Sequence, residues 1–120
     1  MIQKHAELKT DVHKEFRGGK GQVFMEHFLD LHKSNGAGRL FSKTVIPPGA
    51  SIGVHKHEGD CEVYYILKGE ALLNDNGTEV KLGPGDVNLC RDGETHGIEN
   101  IGSGDLEYIA IILFTRQKEV

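Results

Sequence analysis

Residues 71–82 read ALLNDNGTEVKL and contain the strongest short-range folding signal of the chain. Two stretches with apolar residues, 71–74 and 78–82, flank Asn76 and Gly77. Asn-Gly between such stretches favours a type I′ turn, because both residues tolerate the positive φ angles that this turn requires. The segment therefore predicts a β-hairpin with strands over 71–74 and 78–82.

Short runs rich in Val, Ile, Tyr and Leu continue on both sides of this hairpin, and turn residues separate them. Their spacing of about 8–12 residues is typical of all-β sandwiches and barrels. No convincing amphipathic helix interrupts the series, and closure into a barrel or jelly roll would remove exposed strand edges. Besides the two hairpin strands, the pattern predicts strands over 39–46, 51–57, 62–67, 87–90, 95–100 and 106–114.

The first 38 residues are the least patterned part of the chain. We interpret residues 1–120 as a single domain in which 1–38 form an arm with one or two strands and 39–114 form the barrel core. The run 23–31 has aromatic and β-branched residues that favour a strand over a helix. We expect a homodimer in which the arm covers or extends the partner's sheet, because a small barrel is not expected to bury all the apolar arm residues. They are Val23, Phe24, Phe28 and Leu29.

The composition narrows the classes of partner. The chain has 14 basic and 18 acidic residues, a formal net charge of -4 that argues against binding nucleic acid through general electrostatics. No apolar run approaches the ~20 residues that span a bilayer, so no membrane segment is expected. Cys61 and Cys90 form no CxxC pair, which suits a reducing compartment and predicts a cytoplasmic protein. A small-molecule substrate or ligand is the favoured partner.

Three histidines in the strand-rich part suggest a metal site. His55 and His57 are two residues apart, a spacing that places both rings on one face of a strand. Glu62 begins the next strand, and His96 lies in a later one. Three imidazoles and one carboxylate are a full ligand set for a divalent first-row metal. An ordinary polar role would explain a lone histidine, but two inward-facing rings need buried partners, which a shared metal supplies.

Two motifs give the chain a resemblance to the cupin superfamily. The first, G-x5-H-x-H-x4-E-x6-G, is matched with every spacing intact by Gly49, His55, His57, Glu62 and Gly69. The second, G-x5-P-x-G-x2-H-x3-N, is matched by Gly85, Gly93, His96 and Asn100, with Arg91 in place of the proline. The resemblance covers about residues 39–114.

The resemblance implies a small single-domain cupin with an all-β fold, a double-stranded β-helix or jelly-roll barrel, preceded by the N-terminal arm. It also implies that His55, His57, Glu62 and His96 hold one divalent transition metal inside the barrel. Manganese, iron, nickel and zinc all remain open as the metal. The replacement of the motif proline affects the loop before His96 and not the ligand itself.

The reaction stays open at this point. Cupins similar to this chain include decarboxylases, dioxygenases and isomerases, and four ligands on a six-coordinate metal would leave two positions free. We favour a metal-dependent enzyme acting on a small oxyacid, polyol or diketone-like substrate. The alternative is a non-catalytic sensor or storage module that uses the same cavity. A purely structural site is less favoured, because structural sites are normally closed.

Tyr64 and Arg91 are the candidate substrate-binding residues, and no general base stands out. Tyr64 shares strand parity with Glu62 and could line the cavity, although an aromatic packing role fits equally well. Arg91 precedes His96 near the expected barrel mouth, where its guanidinium could grip a carboxylate, while an exposed surface arginine is the simpler interpretation. Four further histidines lack strand-matched partners and are predicted to lie on the surface: His5, His13, His27 and His32.

Overall fold

Ten strands form most of the described chain, residues 1–116, in this computed structural model. They are β1 (Thr10–Lys14), β2 (Gln22–Leu29), β3 (Gly38–Ile46), β4 (Ser51–Lys56), β5 (Asp60–Lys68), β6 (Ala71–Asp75), β7 (Thr78–Leu82), β8 (Val87–Cys90), β9 (Thr95–Asn100) and β10 (Leu106–Phe114). The last four residues of the expected domain, 117–120, lie outside the described part.

The strands are arranged in two antiparallel sheets. One has the order β1-β2-β3-β10-β5-β8 and the other has the order β4-β9-β6-β7. The eight strands after the arm match the predicted runs to within one or two residues at each end. The predicted all-β double-stranded β-helix is therefore confirmed.

Alternation along the strands builds the core between the two sheets. In β10 every second residue from Leu106 to Ile112 is buried, as the two-residue period of a strand requires. Ala71 and Leu73 of β6 and Ile98 of β9 join the same apolar cluster from the other sheet. The two sheets thus share one apolar core.

The Asn76-Gly77 hairpin forms as predicted. Asn76 has a φ angle of 51° and Gly77 one of 93°, the pair of positive values that defines a type I′ turn. Asp75 is the Cα partner of Thr78, so β6 and β7 are joined by two residues. The backbone N–H of Gly77 donates to Oδ1 of Asn74 at 2.7 Å, which fixes the turn further.

The arm contributes both of its strands to the chain's own sheet. β1 pairs with β2, and β2 pairs with β3. Val23 is completely buried, and the ring of Phe28 lies 5.6 Å from that of Phe41 in an edge-on contact. Two of the apolar residues on which the homodimer expectation rested therefore have partners within the same chain. The homodimer itself stays a prediction.

The described helices are two single turns of three residues, His5–Glu7 and Phe16–Gly18. None of the described helices could cross a membrane. The second turn packs directly on β4. A Cβ atom on Gly53 would collide with the carbonyl of Arg17, and one on Gly19 would collide with the carbonyl of Ser51. Glycine is thus required on both sides of this backbone crossing.

The close contact between the Phe16–Gly18 turn and β4 predicts a large difference in stability between two glycine substitutions. Gly53→Ala should lower the free energy of unfolding by about 1–3 kcal/mol, because the added methyl group must push the Arg17 segment away from β4. Gly83→Ala is the matched control, since a Cβ there meets no atom within 4 Å. Urea unfolding of both variants measures the difference. Equal stabilities would contradict the close packing of the arm on β4.

Candidate metal centre

The four predicted ligands converge from both sheets. His55 lies on β4 opposite His96 of β9, and His57 follows directly after β4. Glu62 comes from β5 of the other sheet. One nitrogen or oxygen atom from each of the four side chains lies within 4.8 Å of the others. The side chains are almost completely enclosed, with 10% exposure at His55 and less at the other three.

The closest contacts at this centre join two imidazole nitrogens to each other and to one carboxylate oxygen. Nε2 of His57 lies 3.2 Å from Nε2 of His96. Oε1 of Glu62 lies 3.1 Å from Nε2 of His57 and 3.0 Å from Nε2 of His96. Nε2 of His55 is further from that oxygen, at 3.8 Å.

The other ring nitrogen of each histidine fixes which atom faces the centre. Nδ1 of His57 lies 2.7 Å from Oδ1 of Asp60, and Nδ1 of His96 lies 2.7 Å from Oδ1 of Asn88. Nδ1 of His55 lies 2.8 Å from the carbonyl oxygen of Gly53. Oxygen acceptors require the proton on Nδ1, so a neutral ring directs the lone pair of Nε2 inward.

This donor set fits a divalent metal ion. Lone pairs that face each other at 3.0–3.2 Å repel unless a cation or a proton lies between them. Metal–ligand bonds of ~2.1 Å at right angles place neighbouring donor atoms about 3.0 Å apart, which matches these contacts. Histidines that donate their second N–H to an oxygen acceptor are also the usual arrangement around protein-bound metals.

Electrostatics favour the metal-binding forms of Glu62 and His96 but not that of His57. Burial raises the pKa of Glu62, but the three histidines around its carboxylate outweigh burial and hold this pKa far below its usual range. Burial lowers the pKa of His96 below its ordinary value. At His57 burial acts in the same direction, but the hydrogen bonds and charges of Glu62 and Asp60 outweigh it and raise the pKa. Near neutral pH, Glu62 is thus a carboxylate and His96 a neutral imidazole.

A cavity of about 230 Å³ opens onto His55, His57 and Glu62. This volume is below the range of roughly 300–1,000 Å³ that is typical of sites for drug-sized ligands. Thr44 and Tyr108 also belong to the cavity wall, but their hydroxyl oxygens are buried and do not reach the cavity surface. Arg17, Arg39 and the candidate metal ligands on the same wall suit a small ligand that carries negatively charged oxygen atoms.

The two predicted substrate-binding residues lie in different places. Tyr64 is on the cavity wall, and its ring stacks on that of His96 with 4.7 Å between centroids. Burial and the charge of Glu62 raise the pKa of Tyr64 well above its ordinary value, so the phenol stays protonated. Arg91 is exposed, pairs with Glu94 at 3.3 Å and is not among the cavity-lining residues. The structure therefore does not bring Arg91 to the candidate site.

The arm supplies cavity residues that the sequence analysis placed on the surface. His13 and His27 are half-buried and line the cavity together with Asp11. Nε2 of His27 lies 2.8 Å from Oδ2 of Asp11. A signal for His27 was present, because Val23, Met25 and His27 share one strand parity and the first two are buried.

Arg39 is a further cavity residue that the sequence did not indicate. It lies at the start of β3, and its Nε donates a hydrogen bond to Oδ2 of Asp60 at 3.0 Å. Strand alternation gives no signal for it, because the buried residues of β3 after it, Ser42, Thr44 and Ile46, have the opposite parity. Asn100, in contrast, donates to the carbonyls of Ile46 and Gly104, as expected for a structural turn residue.

Comparisons with known proteins identify a family and similar proteins. A family model described as a cupin domain matches residues 42–112. A protein of Thermotoga maritima named oxalate-binding protein is 44% identical over 113 residues, which cover 94% of this chain and 93% of that protein. An uncharacterized protein of Methanocaldococcus jannaschii is 30% identical over 109 residues, which cover 91% of this chain and 86% of that protein.

One solved structure is similar over nearly its whole length. It is a crystal structure from Thermotoga maritima that is described as a predicted oxalate decarboxylase. Its TM-score is 0.90 at 44% sequence identity, and the match covers 95% of this chain and 99% of that chain.

The ligand set predicts which histidines a bound metal requires. His57→Ala and His96→Ala should each abolish stoichiometric metal binding, because each removes one of four donors and leaves unpaired polar atoms in a buried cavity. His32→Ala is the control, since His32 is exposed and lies outside the cluster. Elemental analysis of the purified variants gives the result. Wild-type metal content in either ligand variant would rule out the proposed set.

The hydrogen bond from His96 to Asn88 predicts a smaller effect. Asn88→Leu should weaken metal affinity by roughly 10-fold to 100-fold, because His96 loses the acceptor that orients its ring. Asn88→Asp keeps an oxygen acceptor at the same place and should retain affinity. Competition with a chelator of known affinity measures both variants. Equal affinities of the Leu and Asp variants would show that Asn88 does not orient His96.

Proposed function

The chain belongs to the cupin family, and from this premise we propose that it is a metal-dependent enzyme that acts on a small oxyacid, with oxalate as the first candidate. The observation that carries the proposal is the composition of the cavity, where three candidate metal ligands lie beside Arg17 and Arg39 in about 230 Å³. The names of the similar Thermotoga maritima proteins, oxalate-binding protein and predicted oxalate decarboxylase, support the same ligand class.

In this proposal His55, His57, Glu62 and His96 hold one divalent transition metal. Manganese, iron, nickel and zinc all accept mixed nitrogen and oxygen donors. When bound, the metal would supply Lewis acidity that binds an acid oxygen and stabilises developing negative charge. The side chains of the cavity then orient the rest of the acid.

The Asp11–His27 pair favours an enzyme over a simple binder. His27 is held at Nε2 by Asp11, which leaves Nδ1 as the nitrogen that can give or take a proton. Breaking the C–C bond of oxalate releases carbon dioxide, and the remaining carbon must gain one proton to become formate. His27 lies on the cavity wall and is our candidate for that proton transfer. A ligand-storage site needs no such group.

A non-catalytic oxalate sensor or storage module is the second candidate. The name oxalate-binding protein, carried by the similar Thermotoga maritima protein, favours it. The same ligands and cavity would hold the acid, but no bond would break. Binding and turnover therefore have to be measured separately.

Oxalate should stabilise the metal-loaded protein and leave the apo-protein unchanged. A ligand that binds only the folded state raises its stability by mass action, by about 2.7 kcal/mol when its concentration is 100 times Kd. Thermal unfolding with and without oxalate measures the effect in both forms. The absence of a shift in the metal-loaded protein would contradict oxalate binding.

Turnover should depend on His27. Metal-loaded wild-type protein is expected to convert isotope-labelled oxalate to formate and carbon dioxide, and His27→Gln should slow this conversion at least 100-fold while oxalate still binds. His32→Gln is the matched control on the exposed surface. Nuclear magnetic resonance follows the labelled formate. Tight binding without turnover in the wild type would favour the sensor or storage module instead.

A further inference from the structure

We propose that Arg39 binds the second carboxylate of the ligand and makes the cavity selective for dicarboxylates over monocarboxylates. This inference rests on the proposed function, because it assumes that a small acid binds beside the metal ligands. It assigns a specificity-determining role to a residue outside both sequence motifs.

The guanidinium of Arg39 is anchored at one nitrogen only. Its Nε donates to Oδ2 of Asp60 at 3.0 Å, and Asp60 is 8% exposed. A guanidinium carries five N–H groups, so this bond leaves the four on the two Nη atoms. These four have no hydrogen-bond partner among residues 1–116, and Arg39 lines the cavity. The Arg39 side chain is 40% exposed and lines the cavity, so its Nη atoms are open to an anion that enters there.

Asp60 links Arg39 to the candidate metal centre. Its Oδ1 accepts from Nδ1 of His57 at 2.7 Å, while its Oδ2 accepts from Arg39. One buried carboxylate thus holds both a metal ligand and the cavity arginine. The hydrogen bond to Asp60 restricts the guanidinium before a ligand arrives, which reduces the entropic cost of binding.

The second arginine of the cavity lacks such an anchor. Arg17 follows Phe16 in the arm, and its guanidinium carbon lies 5.5 Å from the centroid of the Phe16 ring. No carboxylate among residues 1–116 forms an ion pair with Arg17. Arg39 is therefore the better-placed group for a specific carboxylate contact.

The candidate metal centre and the guanidinium of Arg39 together define a class of ligand. One end of a short acid can bind at the metal centre, and a carboxylate at the other end can form paired hydrogen bonds with the guanidinium of Arg39. The cavity of about 230 Å³ restricts this to acids of a few carbon atoms. A monocarboxylate such as glycolate can bind at the metal centre but leaves the guanidinium without an anion.

Isothermal titration calorimetry on the Mn²⁺-loaded protein, with oxalate and glycolate as probes, tests the inference. Arg39→Gln should weaken oxalate binding by about 10-fold to 100-fold and leave glycolate binding within about 3-fold. Arg91→Gln is the matched control, because Arg91 is exposed and outside the cavity, and it should bind oxalate like the wild type. Arg39→Lys keeps the charge but loses the paired geometry, so it should recover oxalate affinity only in part.

Metal content and thermal unfolding of each variant separate binding from folding. Arg39→Gln should retain one Mn²⁺ per chain, because Asp60 still accepts from His57. Three results for Arg39→Gln would each overturn the role of Arg39. They are an unchanged affinity for oxalate, an equal loss of affinity for oxalate and glycolate, and a loss of bound Mn²⁺. Failure of the wild type to bind oxalate would overturn the proposed function as well, so the two failures are distinguishable.

Discussion

The inward-facing Nε2 atoms of three histidines, together with Oε1 of Glu62, are the constraint around which the rest of the structure is organised. Each histidine is held by an acceptor on Nδ1: the carbonyl of Gly53, the carboxylate of Asp60 or the amide of Asn88. A set of electron-rich atoms within 4.8 Å is costly in a buried apolar barrel unless a cation neutralises it. Apolar residues at these positions would pack without this cost, so the polar cluster indicates a candidate functional site.

The arm and the barrel form one site. β1 and β2 extend the six-stranded sheet and bury Val23 in the core, so the arm contributes to stability. The same two strands bring Asp11 and His27 to the cavity. The close crossing of the arm over β4 at Gly53 locks this arrangement. The stability of the fold and the composition of the site therefore depend on the same segment.

Much of the fold could be predicted because short-range sequence signals, such as turn residues and strand alternation, agree with the structure. The Asn76-Gly77 turn and the alternation of 106–112 are signals within a few residues, and both agree with the structure. Arg39 and Asn88 could not be found in this way. Their contacts depend on which strands are neighbours: Asn88 reaches His96 because β8 pairs with β5, a register set by long-range packing. Arg91 is close to His96 in sequence, yet its side chain remains in solvent.

Anomalous diffraction at the metal absorption edge, from crystals of the metal-loaded protein, tests whether these four side chains hold a metal. We expect one anomalous peak per chain, bonded to Nε2 of His55, His57 and His96 and to Oε1 of Glu62, with the remaining coordination positions facing the cavity. Absence of a peak at this point, or coordination through Nδ1 of any of the three histidines, would contradict it.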